Sequence, residues 1–265
     1  AADRFDPARA AETHALLDAP GAAPGVGAAL PPFWHRAWFR PAPRPAELAP
    51  DGTEAPGVGP IPETGLPRRR SAGGRLEWLG PLAVGEEATR LTVLQTLAFR
   101  QGGPSPRAVA TLRHEIVGPA GAAIREEEDL LLLPAWDPEA PPPAAPPARD
   151  DRPAFSRETT PGPVDLFRWA ALTGDANRAH WDPVHAAEAE GAPGPLTPAP
   201  FLLALLLELL RANVGKPLAK LEWRAAGPVH AGETLRLCGR TLGARGELWA
   251  LGPRGLALEA RASFA

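Results

Sequence analysis

The sequence predicts an α+β fold in which two curved antiparallel sheets, each wrapped around a central helix, are joined in one chain of 265 residues. Three observations predict it. FLLALLLELL at 201–210 is apolar on every side, so it reads as a buried helix that something must wrap. Four stretches with period-2 alternation follow it, separated by Gly or Pro. Finally, eight prolines between Pro134 and Pro153 divide the chain into two parts that share one order of elements.

In the N-terminal part a helix is expected around 7–17, then a Pro- and Gly-rich middle, then strands in RLEWLG, TRLTVLQTLAF, RAVATLRHEIV and EEEDLLLLP, a meander from Leu76 to Leu133. No counterpart of the apolar helix is evident there; PPFWHRAWFR at 31–40 is left to close that core, with Trp34, Trp38 and Phe39 read as core rather than as an acyl-binding wall. The stretch 134–153 favours extended, solvated chain and is not expected to pack a core. Beyond it, PVDLFRWAALTG carries Val164, Phe167, Ala171 and Leu172 at helical spacing. The apolar helix is expected over 200–213, with Pro200 at a first helical position where its missing N–H costs nothing. The wrapping strands are LAKLEWRAAG, ETLRLCGRTL, RGELWALG and GLALEARASF; in the last, Leu256, Leu258, Ala260, Ala262 and Phe264 share one face against Glu259, Arg261 and Ser263. A long helix held by a curved sheet is the hot dog arrangement. Two of them make a double hot dog, with an N-terminal unit at 1–133, a linker at 134–153 and a C-terminal unit at 154–265.

Composition excludes more than it assigns. Apolar residues at 44%, charged residues at 22% and a net charge of −3 call for neither nucleic acid nor an acidic membrane as partner. Lys occurs only at 216 and 220, and Met and Tyr are absent, a pattern of coding bias rather than of function. Cys238 is the lone cysteine, so no intrachain disulfide or multi-thiolate metal site forms; set in LRLCG it reads as core, and it fits a reducing cytoplasm. No charged segment followed by an apolar one opens the sequence, so secretion is not expected, and 201–210 is far short of the roughly 20 residues that span a bilayer.

The chemistry-bearing stretch is TGDANRAHWD at 173–182. Asp175 and Asn177 suit a capped polar turn with His180 filling a gap, and they equally suit a catalytic pair. Five residues apart, Asp175 and His180 do not share a face of a straight helix, so convergence needs a break, which Gly174 permits. The pattern Trp169-x-x-Leu172-Thr173-Gly174-Asp175-x-Asn177-Arg178-x-His180, with Ala186 six positions on, resembles the signature of the R-specific enoyl-CoA hydratase (MaoC-like) family. Two positions depart from it: Arg178 stands for a proline and Ala179 for a larger aliphatic. The resemblance extends over both halves to the double hot dog branch with mesaconyl-CoA hydratases and mitochondrial 3-hydroxyacyl-thioester dehydratases, through LPPFWHRAWF, DGTEAPGVGPIPETGLPRRRSAGGRLEW, FSRETTPGPVDLFRWAALTGDANRAHWD and EGAPG. Where that branch usually reads His-Gly-Pro ahead of the central helix, this sequence has Pro198-Ala199-Pro200.

The resemblance implies a hydro-lyase acting on a 2-enoyl-CoA, with no metal and no cofactor beyond the thioester substrate. Asp175 and His180 then handle the water and its proton, Asn177 orients Asp175 or satisfies the turn, and the Ala199 amide is the candidate oxyanion donor, since Pro198 and Pro200 have no N–H. The PAP segment serves equally well as a plain helix start. Arg68 and Arg69 of the basic run match a family segment that meets the phosphate-bearing tail; a solvated surface is the other reading. Gly174 and Trp181 are placed beside the substrate, and Arg178 or Arg168 is a candidate for an acyl carboxylate. His185 and Asp182 beside His180 give a His/His/Asp metal alternative, without HExxH or paired Cys to support it. The acyl group, the carrier (coenzyme A or acyl carrier protein) and a homodimeric assembly remain open. The competing functions are a hot dog thioesterase, for which Glu208 is the acidic residue on the long helix, and a non-catalytic acyl-thioester-binding protein.

Overall fold

The computed structural model describes residues 1–100, 106–140, 145, 146, 149 and 152–265. Ten strands form one antiparallel sheet: β1 (Ala2–Arg4), β2 (Arg68–Trp78), β3 (Glu87–Arg100), β4 (Arg107–Gly118), β5 (Gly121–Leu133), β6 (Phe155–Thr159), β7 (Leu218–Ala225), β8 (Leu235–Leu242), β9 (Arg245–Gly252) and β10 (Gly255–Phe264). Their order is β1-β3-β4-β5-β2-β7-β10-β9-β8-β6. Read from its two ends, the sheet repeats one topology: a short edge strand, the three-stranded meander, then the strand at the middle. The middle pair is β2–β7, with Leu76 opposite Leu221. The edge strands β1 and β6 escape a periodicity reading because they are only 3 and 5 residues long. The meander expected over Leu76–Leu133 is cut back to β3–β5: the first strand, β2, begins at Arg68 because the arginine run is its first part, and it pairs with β5 and β7 rather than with β3.

Among the described residues four α-helices accompany the sheet: α1 (Pro7–Leu16), α2 (Pro163–Thr173), α3 (Pro183–Glu188) and α4 (Ala199–Asn213). α4 is the central rod. Every residue from Pro200 to Leu210 is buried, and each such Leu contributes roughly 1.5–3 kcal/mol relative to an exposed one. In the N-terminal half a 3₁₀ turn at Trp34–Ala37 takes the place of a second rod. Phe33, Trp34, Trp38 and Phe39 are buried there, and they join α4 and both halves of the sheet in one hydrophobic cluster. The halves therefore share a core as well as a sheet.

Two details of the expected packing are corrected. α2 buries Leu166, Trp169, Ala170 and Leu172, while Val164 and Phe167 point outward at 69% and 60% exposure. The helix was legible and its buried face was not, because Trp169 stacks on Phe201 of α4, ring centroids 5.0 Å apart. In β10 a bulge between Leu256 and Leu258 moves Leu256 to the outer face, beside Cys238 and Trp249. The linker is also more than solvated chain: Arg149 lies over the Trp249 ring at 4.4 Å, and Pro146 sits against Gly227, so its described part covers this outer cluster. No helix among the described residues is long and apolar enough to cross a membrane.

Candidate active site

The motif folds by breaking α2. Gly174, at φ +73°, ends the helix in the left-handed region, and the amide of Asp175 donates back to Ala170 O at 3.0 Å. Asp175 Oδ1 accepts from the Asn177 amide (3.1 Å), and Asn177 Oδ1 accepts from the Ala179 amide (3.0 Å), opening a 3₁₀ turn over Arg178–His180. Each side chain thus satisfies an amide that the broken helix would leave bare. The result is that Asp175 and His180 turn toward each other, His180 Nε2 lying 3.9 Å from Asp175 Oδ2. That is too long for a direct hydrogen bond.

His180 Nδ1 is 2.8 Å from Leu196 O. A carbonyl only accepts, so Nδ1 carries the hydrogen, and in the neutral imidazole it is the Nε2 lone pair that faces Asp175. Both residues line a cavity of about 600 Å³ whose wall includes Gly174, Asn177 and Pro200, the second residue of α4. At that helix start the amides of Phe201 and Leu202 both donate to Pro198 O, and prolines 198 and 200 have no N–H. The Ala199 amide is left, although Ala199 is not itself among the lining residues.

Other expected site residues stand elsewhere. Arg68 does not line the cavity: it donates to Glu190 and to Pro134 O (2.6 and 3.3 Å), because its strand faces the loop at 190 there. Arg70 lines the cavity and pairs with the same carboxylate, while Arg69, which also lines it and donates to Glu54 O, has no carboxylate partner among the described residues. Arg178 is bound to Asp182 at 2.7 Å and to Pro50 O at 3.1 Å, and its amide donates to Asp51 O. It clamps the 50–54 loop onto the motif rather than facing substrate. Trp181 is 39% exposed, with its indole N–H on Ala176 O, and it too lies off the cavity. Asp182 caps α3 through the amides of Val184 and His185, which uses its free oxygen. Glu208 is 2% exposed, accepting from Trp34 Nε1 at 2.8 Å and from Arg211; the thioesterase candidate is a core residue away from the cavity.

The opposite wall comes from the N-terminal half, and most of it was missed. Arg36 spans Glu126 (2.5 Å) and Glu128 (2.8 Å); His35 Nε2 sits 2.9 Å from Glu126, and Ser71 donates to Glu128 at 3.2 Å. Burial works against the Glu126 charge, but Arg36 and His35 outweigh it and hold that carboxyl well below the usual range. Glu128 is lowered in the same way, against burial, by Arg36 and His114. Burial pushes His35 down despite Glu126, so it is neutral and donates from Nε2. The signal was present: in β4, Ala108, Ala110, Leu112, His114 and Ile116 alternate as one inward phase, and in β5, Glu126 and Glu128 continue the phase of Leu132. Charges in an apolar phase mark a polar cavity wall.

The model of the hydroxyacyl-thioester dehydratase type 2 family matches residues 33–231. A mesaconyl-C(4)-CoA hydratase of Chloroflexus aurantiacus is 35% identical over 253 residues, 94% of this chain and 88% of that protein. Among solved structures, HtdX of Mycobacterium tuberculosis superposes with a TM-score of 0.73 at 20% identity, covering 100% of this chain and 98% of the other. A second protein of that organism, described as a double hotdog fold, gives 0.61 at 14% identity over 100% and 93%. At those identities the structures speak for the fold alone. Matched by the family's model over most of its length, and by a hydratase relative at 35% identity, the chain belongs to the hydroxyacyl-thioester dehydratase type 2 family, with the double hot dog fold.

Proposed function

We propose that this protein catalyses the reversible hydration of a 2-enoyl-CoA thioester to the 3-hydroxyacyl thioester, with no cofactor. The observation that carries this reading is the approach of His180 Nε2 to within 3.9 Å of Asp175 Oδ2 on the wall of a cavity that reaches the start of α4. Two acceptors at that separation hold one water between them. In hydration, the Nε2 lone pair and Asp175 take a proton from this water as its oxygen bonds to C3; the proton is returned to C2, and dehydration runs the same steps backwards. General acid–base help of this kind supplies roughly 100- to 10,000-fold.

Charge that develops on the thioester oxygen is met by the Ala199 amide at the positive end of α4. Asn177 acts as a positioning residue: its side chain holds the turn through the Ala179 amide, and its backbone N–H fixes the Asp175 oxygen that does not face His180. Arg69 is the residue for a coenzyme A phosphate, and an acyl-carrier-protein thioester presents the same reacting atoms. The lone thiol and the mesaconyl-CoA relative support a cytoplasmic enzyme of acyl-CoA metabolism.

The test follows two signals on crotonyl-CoA and mesaconyl-CoA, the conjugated enoyl absorbance and free thiol. Loss of absorbance without thiol is expected. Thiol release would identify a thioesterase, and binding without either signal a non-catalytic protein.

A further inference from the structure

Buried guanidinium groups normally find carboxylates, and of the four arginines that line this cavity, Arg36, Arg69, Arg70 and Arg90, two do. Arg36 has Glu126 and Glu128, and Arg70 has Glu190. Arg90 does not. It belongs to the inward phase of β3 with Ala88 and Thr92, and it lines the cavity. Among the described residues its hydrogen-bond acceptor is one backbone carbonyl, Phe39 O at 2.8 Å, and its Nε is buried with no acceptor at all. Leaving a charged donor buried and unmet is costly; Arg36 nearby adds like charge, and Glu126, Glu128 and Glu54 act against it without forming an ion pair with Arg90 among the described residues.

The arginine is nevertheless held firmly. Its guanidinium lies over the Phe39 ring at 5.4 Å. Phe39 itself is kept at φ +56°, a conformation that disfavours a residue with a side chain, while Asp3 accepts from its amide at 2.9 Å. A strained residue pinned on one side by Asp3 and on the other by Arg90 fixes the guanidinium toward the cavity. The next two residues, Arg40 and Pro41, abut Gly174, 3.1 and 3.3 Å from where a Cβ would stand. The segment that anchors Arg90 therefore packs against the turn that carries Asp175.

We infer that Arg90 is a specificity residue that binds a free carboxylate on the acyl group, so that the preferred substrates are thioesters of dicarboxylic acids. The inference rests on the hydratase reading for the position of the reacting carbons, but its test does not need turnover. Arg178 and Arg168 do not fill this role: the first is bound to Asp182, and neither lines the cavity.

Calorimetric binding of two saturated thioesters, methylsuccinyl-CoA with a free carboxylate and butyryl-CoA without, reads Arg90 directly. The wild-type protein is expected to bind the first about 10- to 100-fold more tightly. Arg90→Gln should bring that ratio to within about threefold of one with little change for butyryl-CoA, and Arg90→Lys should keep part of it. Arg69→Gln should weaken both thioesters alike. Equal binding of the two by the wild type overturns the inference, as does a ratio that survives Arg90→Gln or is abolished by Arg69→Gln instead. If neither mesaconyl-CoA nor crotonyl-CoA is hydrated while the ratio and its loss are seen, the carboxylate site stands and the hydratase reading falls.

Discussion

The indole N–H of Trp34 donates to the carboxylate of Glu208 at 2.8 Å, tying the N-terminal half of the chain to the middle of the central helix. Arg211 binds the other oxygen of Glu208 at 2.6 Å, so an acidic residue on an otherwise apolar helix is fully occupied in the core. Glu208→Gln is expected to leave hydration within about threefold of wild type. Glu208→Ala, which strips both partners, should lower stability by about 2–4 kcal/mol in chemical denaturation. A 100-fold loss of turnover in Glu208→Gln at unchanged stability would instead put Glu208 in the chemistry.

Gly52 tests how the N-terminal half seats the motif. It has φ +84°, and a Cβ there would lie 2.1 Å from Ala176 O, so both backbone angle and space demand glycine. The loop around it is clamped by Arg178 through Pro50 O and Asp51 O. Gly52→Ala is therefore expected to lower kcat at least tenfold and to reduce Tm, measured by steady-state kinetics and thermal unfolding. Wild-type values for both would show that the loop does not press on the motif.

Acid should loosen the N-terminal wall of the cavity. His35 is pushed down from its ordinary 6.5 by burial, so its stabilising effect is complete above about pH 6.5 and is lost as pH falls toward the folded-state value. Glu126, held low by Arg36 and His35 against burial, contributes stability above its unfolded value of about 4.3 that is lost on further acidification. Both act in one direction. Between pH 7 and 5 the wild type is expected to lose stability more steeply than His35→Gln, by up to about 1.4 kcal/mol per pH unit. Parallel curves in denaturant titrations would mean that His35 is not buried neutral.

How far the sequence spoke for itself differs by element. α4 was legible because eleven consecutive buried positions leave no polar face to misread, and the C-terminal strands because Gly and Pro punctuate them. The face of α2 was misread because the stack of Trp169 on Phe201 is a tertiary contact without a local signature. In the site, the break at Gly174 was legible from residue type. The partners of Arg68 and Arg178 were not, since Glu190 and the carbonyls of 50 and 51 lie far off in sequence for at least one of each pair. Arg90 was invisible for the same reason: what distinguishes it is a buried Nε with no acceptor among the described residues, a property of the folded wall.

The central claim is that Asp175 and His180 act together on one water. Steady-state hydration of crotonyl-CoA by Asp175→Asn and by His180→Gln, with Tm measured alongside, tests it most directly. Each variant is predicted to lose at least 100-fold in kcat while KM stays within a few-fold and the fold survives. Wild-type kcat in either one would contradict the account.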